Sequence, residues 1–171
     1  MMIGLTGVPG TGKSTVADIL EKRGIRVVRI NDTIEPYIIE KDPVRDTQII
    51  DEEEWADGFE PIDGVVEGHL AHLLPCDRVV LLRCDPHVII ERLLSRGYSR
   101  KKAEENALAE ALDLVLIESL ESFDPEVIYE LETTDIDSER VADFVQEVIA
   151  GRAAPSHGAC DWSDYLETTM P

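Results

Sequence analysis

Eight consecutive residues, Gly7-Val8-Pro9-Gly10-Thr11-Gly12-Lys13-Ser14, fit G-x-x-x-x-G-K-[ST], the pattern of a phosphate-binding loop. Gly7, Gly10 and Gly12 admit backbone angles that other residues avoid, and they let main-chain N–H groups approach phosphate oxygens. A helix starting near Lys13 adds the positive end of its dipole. Lys13 is then expected to reach the β- and γ-phosphates of ATP, and the Ser14 hydroxyl to ligate Mg²⁺. Gly10, Gly12 and Thr15 are expected to complete the nucleotide cradle.

Three further residues belong with this chemistry. Glu67 ends the apolar run Gly64-Val65-Val66, and a carboxylate at the end of a strand beside the loop can hold Mg²⁺ through water or orient an attacking water. His69 is expected to line the site as a neighbouring donor. His69 and His72 are spaced as a metal pair could be, but a third ligand at a zinc-like spacing is missing. Residues 94–102, Leu-Ser-Arg-Gly-Tyr-Ser-Arg-Lys-Lys, gather positive charge in a chain that has little of it. Arg92 and Arg96, four apart, share a helix face. An arginine closing over the donor phosphates would neutralise charge on the moving group, and Arg96 is the residue expected to do so. Asp85 follows an apolar strand as a metal-binding aspartate would, but Pro86 after it favours a helix cap.

The elements that must position these groups follow from periodicity. Met2-Ile3-Gly4-Leu5 is a short buried strand, and Val16, Ile19 and Leu20 mark the helix behind the loop. Residues 26–30 make a second strand, 64–67 a third, 78–83 a fourth and 127–131 a fifth. Residues 34–39 read as a short helix, 41–48 as a loop around Pro43, and 51–59 as a helix carrying Trp55 and Phe59. Residues 31–59 together form an insertion that walls the nucleotide site. A helix runs from Pro86 to about Arg96, and an apolar stripe from Ala103 to Leu116 predicts one long amphipathic helix. Residues 138–150 make a closing helix, and 151–171 a tail with Trp162 and Tyr165. Strands alternating with helices imply a five-stranded parallel sheet covered on both faces, a three-layer α/β/α fold in one domain spanning 1–171. Ligands then bind beyond the carboxyl ends of the strands, where the glycine loop sits.

Bulk properties bound the partners. The chain of 171 residues carries 36 acidic against 16 basic residues, a formal net charge of −20. Phosphate backbones would be repelled, so direct nucleic-acid binding is not expected, while a basic protein is a suitable partner. Adaptation to a salty cytosol predicts the same composition. Cys76, Cys84 and Cys160 are odd in number and lack a C-x-x-C pair, which points to reduced thiols in a cytoplasmic setting. No signal peptide is recognisable and no apolar run approaches membrane-spanning length.

The N-K-x-D sequence of a guanine-reading GTPase is missing, and a large motor ATPase needs more chain; a small phosphoryl-transfer kinase fits the length. The motifs 7–15, Val66-Glu67-Gly68-His69, Leu82-Arg83-Cys84-Asp85-Pro86, Glu91-Arg92-Leu93, Ser95-Arg96-Gly97-Tyr98-Ser99 and Asp161-Trp162-Ser163-Asp164-Tyr165-Leu166 resemble adenylate kinase isoenzyme six, over nearly the whole chain. The resemblance implies a nucleoside-monophosphate kinase that uses ATP and Mg²⁺, accepts AMP or another monophosphate, and also hydrolyses ATP. It implies a role in late maturation of the small ribosomal subunit, through transient contact with a basic small-subunit ribosomal protein. It maps the monophosphate region roughly onto residues 30–51, the larger part of the 31–59 insertion, and the lid onto residues 95–105. Two departures stand out: the strand-three carboxylate, often aspartate in that family, is Glu67, and Ile34-Glu35-Pro36 stands where some members carry arginine. Arg29 and Arg45 are the nearby cations that could serve the acceptor instead. Two other readings use the same residues: an ATP-driven assembly factor whose kinase activity is incidental, and a small-metabolite kinase of the dephospho-coenzyme-A type, which Ile3-Gly4-Leu5-Thr6-Gly7 also suits.

Overall fold

The central strands of the main sheet bury both faces, and their side chains sort by parity. In the computed structural model, which describes residues 1–43 and 47–169, strand β1 (Met2–Thr6) is buried along its whole length. Ile3 and Leu5 point to one face of the sheet, where they meet Val16 and Leu20 of helix α1 (Lys13–Lys22). Met2 points to the other face and meets Ala71, Leu74 and Trp55. Neighbouring strands obey the same period of two: Val65, Val80 and Leu82 join the first layer, Val66 and Val79 the second.

The sheet contains β1, β2 (Val27–Arg29), β5 (Gly64–Glu67), β6 (Arg78–Arg83) and β7 (Ile128–Glu132), in the order β2-β5-β1-β6-β7. Every pairing in it is parallel. This is the five-stranded parallel sheet expected from the alternation of strands and helices. Helix α6 (Ser138–Ile149) covers the first face beside α1 through Val141, Val145 and Val148, and the Asp137 side chain caps it by accepting from the Glu139 N–H.

Residues 31–59 do leave the main sheet, but their structure differs from the expectation. A 3-10 turn covers only Glu35–Tyr37, and a strand β3 (Ile38–Asp42) pairs antiparallel with β4 (Thr47–Ile50). Pro36 suits a first turn but not a longer helix, while Ile38, Ile49 and Ile50 are β-branched and pair as strands. Helix α2 (Glu52–Gly58) follows, with Asp51 accepting from the Glu54 N–H. Arg45 lies outside the described residues.

The long helix expected through residue 116 is two helices. After α3 (Pro86–Ser95), α4 (Arg100–Ala111) stops and α5 (Leu114–Ser122) restarts, with Asp113 between them at φ 56°. That costly conformation is held because the Asp113 carboxylate accepts from Arg83 Nη2. Arg83 is 1% exposed and ion-pairs also with Glu110 and Glu130, both at 2.6 Å. Burial alone would lower the Arg83 pKa, but the Glu110 and Asp113 carboxylates outweigh it and leave the pKa raised, so the cation is permanent. Glu110→Ala would leave a buried charge short of a partner and the Cys84 N–H without its acceptor. It is expected to cost about 3–5 kcal/mol, read as a lowered thermal midpoint.

Candidate active site

The glycine loop is held by its carbonyls. Val8 O accepts from Thr11 Oγ1 at 3.0 Å and from Lys13 Nζ at 2.9 Å, Gly10 O from Arg92 Nη1 at 3.0 Å, and Thr11 O from Thr133 Oγ1 at 2.9 Å. With these acceptors engaged, what the loop can offer an anion is its N–H groups and the Lys13 ammonium. Gly7, at φ 137°, lies so close to β6 that a Cβ there would meet Leu82 O at 2.4 Å, and Gly12, at φ 97°, is the left-handed residue that lets α1 begin at Lys13. Lys13 is 7% exposed, and burial lowers its pKa to about 8, with Glu67 and Glu110 opposing the shift.

Glu67 ends β5 in register with Leu5 and is 6% exposed. Ser14 Oγ donates to Glu67 Oε1 at 3.4 Å, while Glu67 Oε2 accepts from Arg29 Nη1 at 3.5 Å. A hydroxyl and a buried carboxylate, both oxygen donors on one wall, suit Mg²⁺, which takes few protein ligands and fills its octahedron with water and phosphate oxygens. Among the described residues no cluster of three or more His, Cys, Asp and Glu could cage a metal on its own. Arg29 borders this wall, and its Nη2 pairs with Asp18 at 2.6 Å and Glu21 at 3.0 Å.

His69 and His72 part company. His72 is buried, with Nδ1 3.0 Å from Thr6 Oγ1 and Nε2 2.8 Å from Glu118, a satisfied core histidine. His69 lines the cleft. Its ring keeps contact with solvent, yet partial desolvation, then the charges of Lys13, His72 and Lys102, lower its pKa, so it is neutral at pH 7 and can donate one N–H. Asp85 caps α3, its Oδ1 accepting from the His87 N–H at 2.7 Å.

Arg96 sits where α3 ends. The Tyr98 N–H bonds Leu93 O and the Gly97 N–H bonds Leu94 O, a Schellman close with Gly97 at φ 86°. Ser99 then caps α4 by accepting from the Lys102 N–H. Among the described residues the Arg96 guanidinium makes no hydrogen bond or ion pair.

Two clefts flank the glycine loop. One, of about 290 Å³, is lined by Thr11, Gly12, Thr15, Arg92, Arg96 and Thr133 among others. The other, of about 860 Å³, is lined by Gly10, Gly12, Lys13, Ser14, Glu67, His69 and Arg96, with Asn31 and Gln48 from the insertion and Tyr98, Lys102 and Asn106 from the α3–α4 region. Gly10, Gly12, Lys13, Ser14, Thr15, Glu67, His69 and Arg96 each line at least one of the two, and Gly12 and Arg96 line both.

Sequence reasoning passed over Arg92 as a loop anchor and Thr133 altogether. Thr133 stands just past the carboxyl end of β7, where a doubly wound sheet places ligand contacts, and that position was the available signal.

Comparison with known proteins fits this geometry. A family model described as an AAA domain matches residues 3–113. A protein of Archaeoglobus fulgidus named "Putative adenylate kinase" is 40% identical over 98% of this chain and 94% of its own length. Proteins of the same name from Natronomonas pharaonis, 39% identical over 97% of this chain and 100% of that protein, and from Methanocaldococcus jannaschii, 38% identical over 97% of each, align as fully. A deoxyadenosine kinase from M. mycoides, solved with bound dATP, shares the fold with a TM-score of 0.55 over 88% of this chain and 100% of that one, at 15% identity. The loop, the sheet order and these full-length alignments agree: the chain belongs to the AAA-domain family, within its archaeal adenylate-kinase-like group.

Proposed function

We propose that this protein transfers the γ-phosphoryl group of ATP to a nucleoside monophosphate, with AMP the first acceptor to try. The observation that carries the reading is the junction of two clefts at Gly12 and Arg96, beside Lys13. A hydrolase needs one nucleotide cleft and a water; a transferase needs a second cleft, and about 860 Å³ is ample for a mononucleotide. The names of the archaeal relatives point the same way.

In the proposed step an acceptor phosphate oxygen bonds to the γ-phosphorus as the bond to the β,γ-bridging oxygen breaks, leaving ADP. Charge grows on the equatorial oxygens, where Lys13 and a closing Arg96 oppose it. Ser14 and Glu67 would hold Mg²⁺, which when bound neutralises β- and γ-phosphate charge. Neutral His69 offers an N–H to a phosphate oxygen. Arg92 and Thr133 fix the loop.

Product analysis tests the reading. ATP plus AMP should give ADP rapidly, with little free phosphate when AMP is present. Free phosphate at the same rate with or without AMP would replace it with an ATPase, and transfer only to a non-nucleotide acceptor with a metabolite kinase. Glu67→Gln keeps shape and removes charge, so the Mg²⁺ concentration for half-maximal turnover should rise about tenfold or more; an unchanged Mg²⁺ titration would remove Glu67 from the metal wall.

We extend the proposal to slow ATP hydrolysis when the acceptor cleft holds water, and to a role with a basic small-subunit ribosomal protein. The latter is supported by the resemblance and by the net charge of −20. Binding to such a protein should weaken with salt, whereas stability that rises with salt without binding at any salt would leave only the kinase.

A further inference from the structure

The last described helix, α7 (Ser163–Thr169), is too short to stand alone and is ordered by what it packs on. Its Tyr165 is 6% exposed and lies in one apolar cluster with Val8 of the glycine loop, Leu93 of α3, and Ala103 and Ala107 of α4. The Tyr165 ring meets His87, at the start of α3, edge-on at 5.0 Å between centroids. One apolar cluster thus joins α7 to the phosphate loop and to both helices that flank Arg96.

The chain leading to α7 is tied to the sheet. Ser156 exchanges backbone bonds with β7, its N–H donating to Ile128 O and its carbonyl accepting from the Glu130 N–H. The Ala159 N–H donates to Glu130 Oε2 at 2.9 Å, and the other oxygen of that buried carboxylate holds Arg83. Trp162 buries its indole Nε1 with no partner at hydrogen-bond distance among the described residues, although it lies near enough to the Glu110 carboxylate of α4 to favour the charged form. The segment is therefore tied to β7 at residues 156–159, and the apolar seat beyond it bears on α4.

We propose that Tyr165 is a positioning residue for Arg96: the C-terminal segment is a strap that wedges the α3–α4 pair against the glycine loop and so sets where the arginine closes. Nothing in this needs Tyr165 to touch a nucleotide. The inference rests on the phosphotransferase reading for its kinetic consequence, and on packing alone for its physical one.

The test uses the full chain. Tyr165→Ala should lower kcat about 10- to 100-fold, as a small misplacement of a reacting geometry does, with the Kd for ATP and the KM for AMP little changed. Tyr165→Phe should restore the parent rate, since the ring makes the contacts. In an Arg96→Ala background Tyr165→Ala should have almost no further effect on kcat, because its only route to the chemistry has been removed; two losses that simply multiply would overturn the proposal. Hydrogen exchange gives an answer without activity. Amides of residues 93–107 should exchange faster in Tyr165→Ala, while those of β1 and β6 stay protected; unchanged exchange in that region overturns the strap even if the site reading stands. If Arg96→Ala itself leaves turnover intact, the site reading fails and the exchange experiment still decides the strap. Should Tyr165→Ala not fold, Leu166→Ala, a smaller truncation on the same seat, carries the same expectations.

Discussion

Lys13→Ala is expected to cut phosphoryl transfer from ATP about 10³-fold or more without lowering the thermal midpoint. The kinetic half follows from where charge develops: the lysine is the nearest fixed cation of the loop to the transferring phosphate, and such groups act in a desolvated site where they are worth far more than in water. The stability half follows from the loop's own bonds. Val8 O, which Lys13 now occupies, keeps Thr11 Oγ1 as a donor when the lysine is gone. Burial already disfavours the ammonium enough to bring its pKa down to about 8, so removing it relieves a cost rather than opening the core. Steady-state kinetics beside a thermal melt checks both halves. Retained turnover in a folded variant would end the phosphate-loop reading, and a collapsed fold would mean that Lys13 is structural.

Arg96→Ala is expected to slow transfer by about 10³-fold while ATP binds nearly as before, by analogy with arginines that reach the transition state only on closure. Its guanidinium lines both clefts and is engaged by no described residue, in a chain where acidic groups outnumber basic ones by more than two to one. An arginine that avoids so many available carboxylates is held for another anion. Arg92, one helical turn earlier, should behave differently. It already donates to Gly10 O, so its loss should loosen the loop and raise the Kd for ATP along with slowing turnover. Equal profiles for the two variants would show that the pair acts as one cationic patch.

Much of this was legible because the signals were local. The glycine loop declares its backbone angles through Gly7 and Gly12, the strand ends declare where Glu67 and the loop must lie, and Gly97 with Ser99 declares the break that carries Arg96. What stayed hidden depends on contacts far apart in the chain. Arg83 read as the tail of an apolar strand, and nothing near it reveals that Glu110, Asp113 and Glu130 converge on it and thereby split one predicted helix into α4 and α5. The β3–β4 hairpin was missed because Pro36 and Pro43 dominate the local reading, while the pairing of Ile38 with Ile50 is a tertiary fact. Arg29 was one of two candidate cations for the acceptor, and its ion pairs with Asp18 and Glu21 of α1 could not be read from the sequence around it.

The order of strands across the sheet bears on how the protein is made. Strand β1 is synthesised first, but it lies at the centre, between β5 and β6. Its pairing with Gly64–Glu67 and Arg78–Arg83 cannot form until those segments have been synthesised. Thr133, which secures the phosphate loop, and Tyr165, which shares an apolar cluster with Val8, come later still. Early in translation the apolar Met2–Thr6 segment therefore has no sheet to join, a period in which such a chain is open to misassociation and to chaperones. Nucleotide affinity should appear late and abruptly in a series of stalled nascent chains, after β7 has cleared the exit tunnel, rather than growing in step with length.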